Sequence, residues 1–370
     1  MMNWCKLATR LTFPQLVKPR QAMFASLCLA LCTTFAVVAL TYDSISASQI
    51  KTVSFTASPL PLHYHKNNVQ TVGQLTYLGG LKINSSDADM GGLSSLDISA
   101  DGKTLLAVTD RGYWWQAEVV YLGQRLHGLK NMLMAPLRDE SGAALLTKSR
   151  QDAEAVAAYG TNGGYIVSFE GQHRLRYYQA NATAPYRSLM ESPGQEITFI
   201  PPEFDETLQH LPNNKGLEAI TPLKDGRLLV LSEGASLTGA GEDNVKGWLI
   251  GWGRAHSLTY QVSEGYKPTD MATLPNGDIL VLERHFSLSR GAAARLRRIK
   301  AWDVHPGAQL KGELLAQLSY PLNVDNMEGL AVRQNPAGNT LIYILSDNNF
   351  NAIQRTLLMM FRLEDTPTSP

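Results

Sequence analysis

The sequence predicts an all-β body closed into a single β-propeller, and three observations carry that prediction. Beyond residue 70, short Val/Ile/Leu/Tyr runs alternate with Asp-Gly, Asn-Gly or Gly-Gly turns, and no long segment shows helical period. A unit then recurs five times: an acidic or Gly-Leu start, a short strand, a glycine turn, a strand of large aliphatics, and an acid. The starts at Leu93, Glu154, Glu218, Asp270 and Glu328 lie 61, 64, 52 and 58 residues apart, a spacing that suits four-stranded blades with generous loops.

The copies run Gly91 to Gly112, Asp152 to Gly171, Gly216 to Gly234, Pro268 to Arg284 and Asn326 to Asn349, and each reads as a hairpin with an acid at its far end. A lone four-stranded sheet leaves both faces and two edges open, whereas radial stacking covers the faces and shortens the edges. Outside these starts, 84 residues of the exported body remain, more than one unit. A sixth blade would fit there, built from strands at Val53 to Phe55 and Gln74 to Leu78 and closed by Leu357 to Leu363. Six blades is the expectation, five the alternative.

Residues 22 to 40 are apolar and uncharged, and Lys6, Arg10, Lys18 and Arg20 precede them, the charge order of an export signal. Residues 1–48 are therefore read as a signal peptide cut near Ala47 or Ser48, or as a signal anchor, with the domain at 51–370. The expected location is periplasmic or secreted, with membrane attachment only if the segment is retained.

The chain has 370 residues with 33 basic and 33 acidic side chains; without the first fifty, 29 basic face 32 acidic. Such a body has no global attraction for nucleic acid, and a monomer is expected. All three cysteines precede residue 33, so the body has no thiol for a disulfide, a Cys-ligated metal or a nucleophile. A serine elbow, H-E-x-x-H, a Walker loop and a strand-linked G-x-G-x-x-G are all missing.

Oxygen chemistry remains. Equivalent repeat positions in a propeller form rings around its axis, which would bring the opening acids Glu154, Glu218, Asp270 and Glu328 to one mouth. The closing acids Asp110, Glu170, Glu233, Glu283 and Asp347 would lie beside them. Carboxylates about 4 Å apart repel by roughly 1 kcal/mol in water and about 4 kcal/mol at a partly screened site. Protonation, a cation or a collar of backbone amides must compensate. Calcium takes six to eight oxygens, which Asp, Glu, main-chain carbonyls and Asn326, Asn348 and Asn349 supply; alternatively the acids pin blade to blade. Arg111 and Arg284 follow closing acids and suit ordinary salt bridges or an anion fork. Tyr113, Trp114 and Trp115 suit a pocket wall or loop packing, His63 and His65 a surface or a metal, and His285 acid–base work. The basic run Arg295, Arg297, Arg298 and Lys300 reads as a solvated strand face.

Taken in order, GGLSSL with DGKTLLAVTDRG, DAEAV, GLEAITPLKDGRLLVLSEG, DILVLER, and NMEGLAV with LIYILSDNNF resemble the phytase-like domain family, described by an esterase-like activity of phytase. The resemblance extends from about Thr76 to Phe361. It implies an exported propeller that hydrolyses a small phosphoester or ester, with calcium neutralising substrate charge and activating water. On that reading Glu154, Glu218, Asp270, Glu328, Asp347 and Asp110 hold metal, Glu233 or Glu283 is the base, and Arg111 and Arg284 stabilise developing negative charge. The competing expectation is a non-catalytic propeller that binds a ligand or partner and carries structural calcium.

Overall fold

The computed structural model describes residues 50–364 apart from 161–162, 182–184, 214 and 235–243, and the side chain of residue 205. The segment read as an export signal lies outside the described residues. Among those residues the strands form five sheets.

Each sheet starts on the axis and runs outward. Blade 1 comprises Asp97–Ile98, Thr104–Val108, Tyr113–Leu122 and Arg125–Pro136, with Lys51–Thr52 at its edge. Blade 2 comprises Ala153–Tyr159, Gly164–Phe169, Arg174–Tyr178 and Gly194–Gln195. Blade 3 comprises Leu217–Pro222, Leu228–Ser232, Asn244–Gly251 and Arg254–Gln261, with Gln309–Leu310 added in parallel. Blade 4 comprises Lys267–Thr273, Ile279–Ser287, Gly291–Ile299 and Glu313–Ser319. Blade 5 comprises Asn326–Gln334, Thr340–Asp347, Thr356–Leu363, Leu75–Ser85 and Phe55–Pro59.

The repeat turns set the hairpins. Gly226 of Asp225-Gly226 and Gly277 of Asn276-Gly277 sit at φ +86° and +95°, left-handed backbone that glycine adopts without a Cβ penalty.

Strand periodicity then divides the core among the blade interfaces. In blade 3, Leu228 and Val230 join the cluster shared with blade 2, while Leu229 and Leu231 join the cluster shared with blade 4. Trp114 and Trp115, both fully buried, face opposite ways: Trp114 packs with blade 2 and Trp115 with blade 5. They are interblade packing and not the walls of a ligand pocket. Each interface buries many Leu, Val and Ile side chains worth roughly 1.5–3 kcal/mol apiece, so the ring is held by its five apolar seams.

The six-blade count does not stand; the five-bladed alternative does. Leu75–Ser85 pairs antiparallel with Thr356–Leu363, Leu75 opposite Leu363 and Ile83 opposite Thr356. Apart from Lys51–Thr52 at the edge of blade 1, the remaining strands therefore complete the blade that opens at Asn326 and build no further one. Joining both ends of the body in one sheet closes the ring through backbone hydrogen bonds.

Candidate metal centre at the channel mouth

The acids reach the axis through a repeated irregularity. In blade 2, Ala153 pairs with Phe169 and Ala155 with Ser168, leaving Glu154 as the extra residue of a bulge. Glu218 is the extra residue between Leu217 and Ala219 in blade 3, and Glu328 between Met327 and Gly329 in blade 5. A bulge re-aims the side chain it leaves unpaired, and here it turns three glutamates toward one cavity.

Blade 4 breaks the pattern by one position. Pro268 pairs with Glu283 and Asp270 with Leu282, so Thr269 occupies the bulge and Asp270 follows it. A one-residue shift sends a strand side chain to the opposite face. Asp270 and Glu283 are accordingly absent from the cavity, and Arg284 takes the closing position that Asp347 holds in blade 5.

Asp270 is a pin across three blades. Its Oδ2 accepts from the backbone of Leu330 at 2.7 Å and of Leu96 at 3.3 Å and from Ser95 Oγ at 2.9 Å; its Oδ1 accepts from its neighbour Met271 N at 2.8 Å. Burial pushes its carboxyl well up, against the pull of these donors. Asp270→Ala would strand those donors, so a loss of about 3 kcal/mol or more in urea unfolding is expected. Glu283 is fully buried elsewhere, receiving the Tyr260 hydroxyl at 2.7 Å and Arg297 Nε at 3.0 Å.

The cavity, of about 350 Å³, is lined by Asp110, Asp152, Glu154, Glu170, Glu218, Glu233, Glu328 and Asp347 together with Lys148 and Arg284. Eight carboxylates thus face two cations. Asp152, Glu154 and Glu170 each offer an oxygen within 4.8 Å of the others. Asp347 accepts from Leu93 N at 2.9 Å and Asn349 N at 2.7 Å, and Glu170 from Gly216 N at 2.8 Å, so these two also tie blade to blade. Glu154 and Glu218, by contrast, make no side-chain hydrogen bond or ion pair with any described residue. Asp110 Oδ1 is buried and unpartnered as well.

Arg284 is already engaged. Its Nη2 lies 3.2 Å from Glu233, its Nε 3.3 Å from Glu328, and its Nη1 donates to Asn326 Oδ1 at 2.8 Å. Lys148 pairs with Asp152 and lies 3.8 Å from Asp110 Oδ2.

Crowding shows in the proton affinities. Burial, then the charges of Asp152, Glu170, Glu328 and Asp110, hold Glu154 well above the usual carboxylate range. Burial with Glu154, Glu233, Glu170 and Glu328 does the same to Glu218. Glu328 is raised to about 8 by burial, although Arg284 opposes the shift, and Asp347 to about 6, mainly by burial. Such groups bind a proton or a cation in preference to standing charged together.

Of the residues singled out from sequence, the fold brings Asp110, Glu154, Glu170, Glu218, Glu233, Arg284, Glu328, Asp347 and Asn349 to one cavity and leaves Asp270, Glu283 and Arg111 outside it. Arg111 stacks on the Phe350 ring at 3.3 Å and donates to the Ala88 carbonyl. His285 lies against Tyr266, and His63 Nδ1 accepts from the His65 backbone, so neither reaches the cavity. Arg297, Arg298 and Lys300 pair with Glu283 and Asp278. Sequence reasoning missed Asp152 and Lys148 as site residues. Asp152 caps the short helix Lys148–Gln151 just before the strand, and strand periodicity gives no signal for it.

A β-propeller with a carboxylate-lined channel mouth is the class that fold and site define. The chain belongs to the phytase-like family: the family model described as esterase-like activity of phytase matches residues 88–350. No curated protein matches the sequence. Among solved structures, a luciferin-regenerating enzyme is similar at 10% identity and TM-score 0.39, covering 74% of this chain and 93% of its own. A glucose dehydrogenase stands at 12% identity and TM-score 0.37, covering 79% and 99%. The β-propeller domain of Cps50 (Swd1) from Myceliophteria thermophila stands at 10% and 0.36, covering 84% and 99%.

Proposed function

We propose that the channel mouth holds calcium and hydrolyses a small phosphoester or ester. The observation that carries this reading is the pair Glu154 and Glu218, which sit in the cavity among other acids without a donor among the described residues. A pinning carboxylate would resemble Asp270, with its amides in place. The donor set fits a hard divalent ion: Asp152, Glu154, Glu170 and Glu218 would hold it, with Asp110, Asp347 and Asn349 at hand. When bound, calcium would polarise a phosphoryl or acyl oxygen and lower the pKa of water.

The chain's own groups do the rest. Arg284 joins Glu233 and Glu328 and fixes both at the rim. Glu328, raised to about 8 by burial and held between Arg284 and Asn326, would exchange a proton with the substrate's leaving oxygen. Lys267, 3.1 Å from Glu233, shares that acid with Arg284 and so competes for it. We further read the protein as an exported monomer, periplasmic or secreted.

The binding-propeller reading draws support from Asp347 and Glu170, whose backbone partners belong to adjacent blades. A panel of chromogenic phosphate and carboxylate esters, assayed with chelator and with calcium, separates the two. Turnover that chelator abolishes and calcium restores is expected. Calcium stabilisation without turnover on any ester would favour the binding role, and indifference to both additions would remove the metal.

A further inference from the structure

The two cations that line the acidic cavity are held differently. Arg284 is fixed by Glu233, Glu328 and Asn326. Lys148 reaches in from the short helix Lys148–Gln151, in the linker between blades 1 and 2, and its side chain is 65% exposed. Its ammonium pairs with Asp152, one helical turn on, donates to the Asp110 carbonyl at 3.3 Å and lies 3.8 Å from Asp110 Oδ2. Burial opposes the charged form, yet Asp152, Asp110 and Glu154 raise its proton affinity above the ordinary lysine value.

Asp152 is also one of the three acids whose oxygens gather within 4.8 Å. A divalent ion among Asp152, Glu154 and Glu170 and an ammonium on that same Asp152 repel each other at short range. The ammonium is the partner free to yield, because its exposed four-carbon stem lets it withdraw into water, where it regains hydration and side-chain freedom. The helix stays in place without it: Gln151 Nε2 donates to the Leu145 carbonyl at 2.8 Å, and Gln172 N to the Ser149 carbonyl at 3.0 Å.

We propose that Lys148 is a tethered counter-ion, which occupies the acids of the metal-free protein and gives up its place when a divalent cation binds. This inference rests on the calcium reading above and adds what sets the affinity. In a thermodynamic cycle, whatever the ammonium contributes to the metal-free form and loses in the loaded form is subtracted from calcium binding. Lys148 therefore raises the calcium concentration at which the site fills and keeps Asp152 compensated below it.

The test is calorimetric titration of calcium into the metal-stripped full chain at one pH and ionic strength, with thermal unfolding of each protein with and without calcium. Lys148→Met is expected to bind calcium about fivefold more tightly than wild type, to melt lower without metal and to melt with wild type when loaded. Lys148→Arg, which keeps the charge, should bind no tighter than wild type, and Lys103→Met, which removes a charge beside Asp101, should match it. Lys148→Gln gives the same reading should Lys148→Met fail to fold. Unchanged or weaker calcium binding in both neutral Lys148 variants would overturn the proposal, as would equal tightening in Lys103→Met. A loaded Lys148→Met that loses as much stability as the metal-free form would do the same, by making the lysine a plain helix tether. Calcium binding by none of these proteins, wild type included, is a different result and would remove the calcium reading together with this role.

Discussion

Glu218→Gln is expected to remove most of the calcium-dependent rise in melting temperature and to lower ester or phosphoester turnover by at least about a hundredfold, with the fold intact. A hundredfold loss in calcium affinity corresponds to about 2.8 kcal/mol. The amide keeps the shape and one neutral oxygen but gives up the charge that faces Glu154, Glu170, Glu233 and Glu328. Because no described residue pairs with that charge, losing it costs the metal-free protein nothing. Above neutral pH the metal-free variant should unfold at the same temperature as wild type or higher.

Glu283→Gln supplies the contrast. Glu283 is buried against Arg297 and Tyr260 outside the cavity, so its replacement breaks a paired interior charge, typically a loss of about 3–5 kcal/mol. Calcium should stabilise that variant as much as it does wild type. Equal calcium response in Glu218→Gln and wild type, measured by thermal unfolding, would remove Glu218 from the metal site.

How far the sequence reveals this site depends on register. The repeat, its turns and the alternating aliphatics specify hairpins and their stacking, because side-chain period and glycine turns are local properties. The acids of blades 2, 3 and 5 could be placed for the same reason. Blade 4 could not, since PTD carries its acid in third place as GLE does while its bulge falls on Thr269 and not on Asp270. That difference of one residue exchanges a cavity acid for a structural pin and brings Arg284 in place of Glu283. The blade count failed on a non-local matter: Leu75–Ser85 joins Thr356–Leu363 across nearly the whole chain, a pairing no window of sequence contains. Lys148 is likewise a contact between a linker helix and a strand end, invisible until the blades stack.

Metal-free protein should lose stability as pH rises from about 4.5 through about 8, the reverse of ordinary acid denaturation. The acids of the cavity have folded-state proton affinities above their unfolded ones: Asp347 at about 6, Glu328 at about 8, and Glu154 and Glu218 well above the usual range. Each such group binds protons more tightly folded than unfolded, so its contribution is complete below the unfolded pKa and is lost as pH climbs through the folded one. For Glu328 alone the shift corresponds to up to roughly 5 kcal/mol. Depressed acids such as Asp278, held down by the Ala301 amide and Arg298 against its own burial, act oppositely. Their effect is complete by about pH 5 and cannot mask the decline above it. Calcium should invert the slope, because it binds the ionised forms and gains affinity as protons leave. Melting temperatures across pH 5 to 9, in chelator and in calcium, should therefore diverge with rising pH. Parallel curves, or a chelated protein most stable at pH 8, would mean that the carboxylates do not meet in a shared cavity.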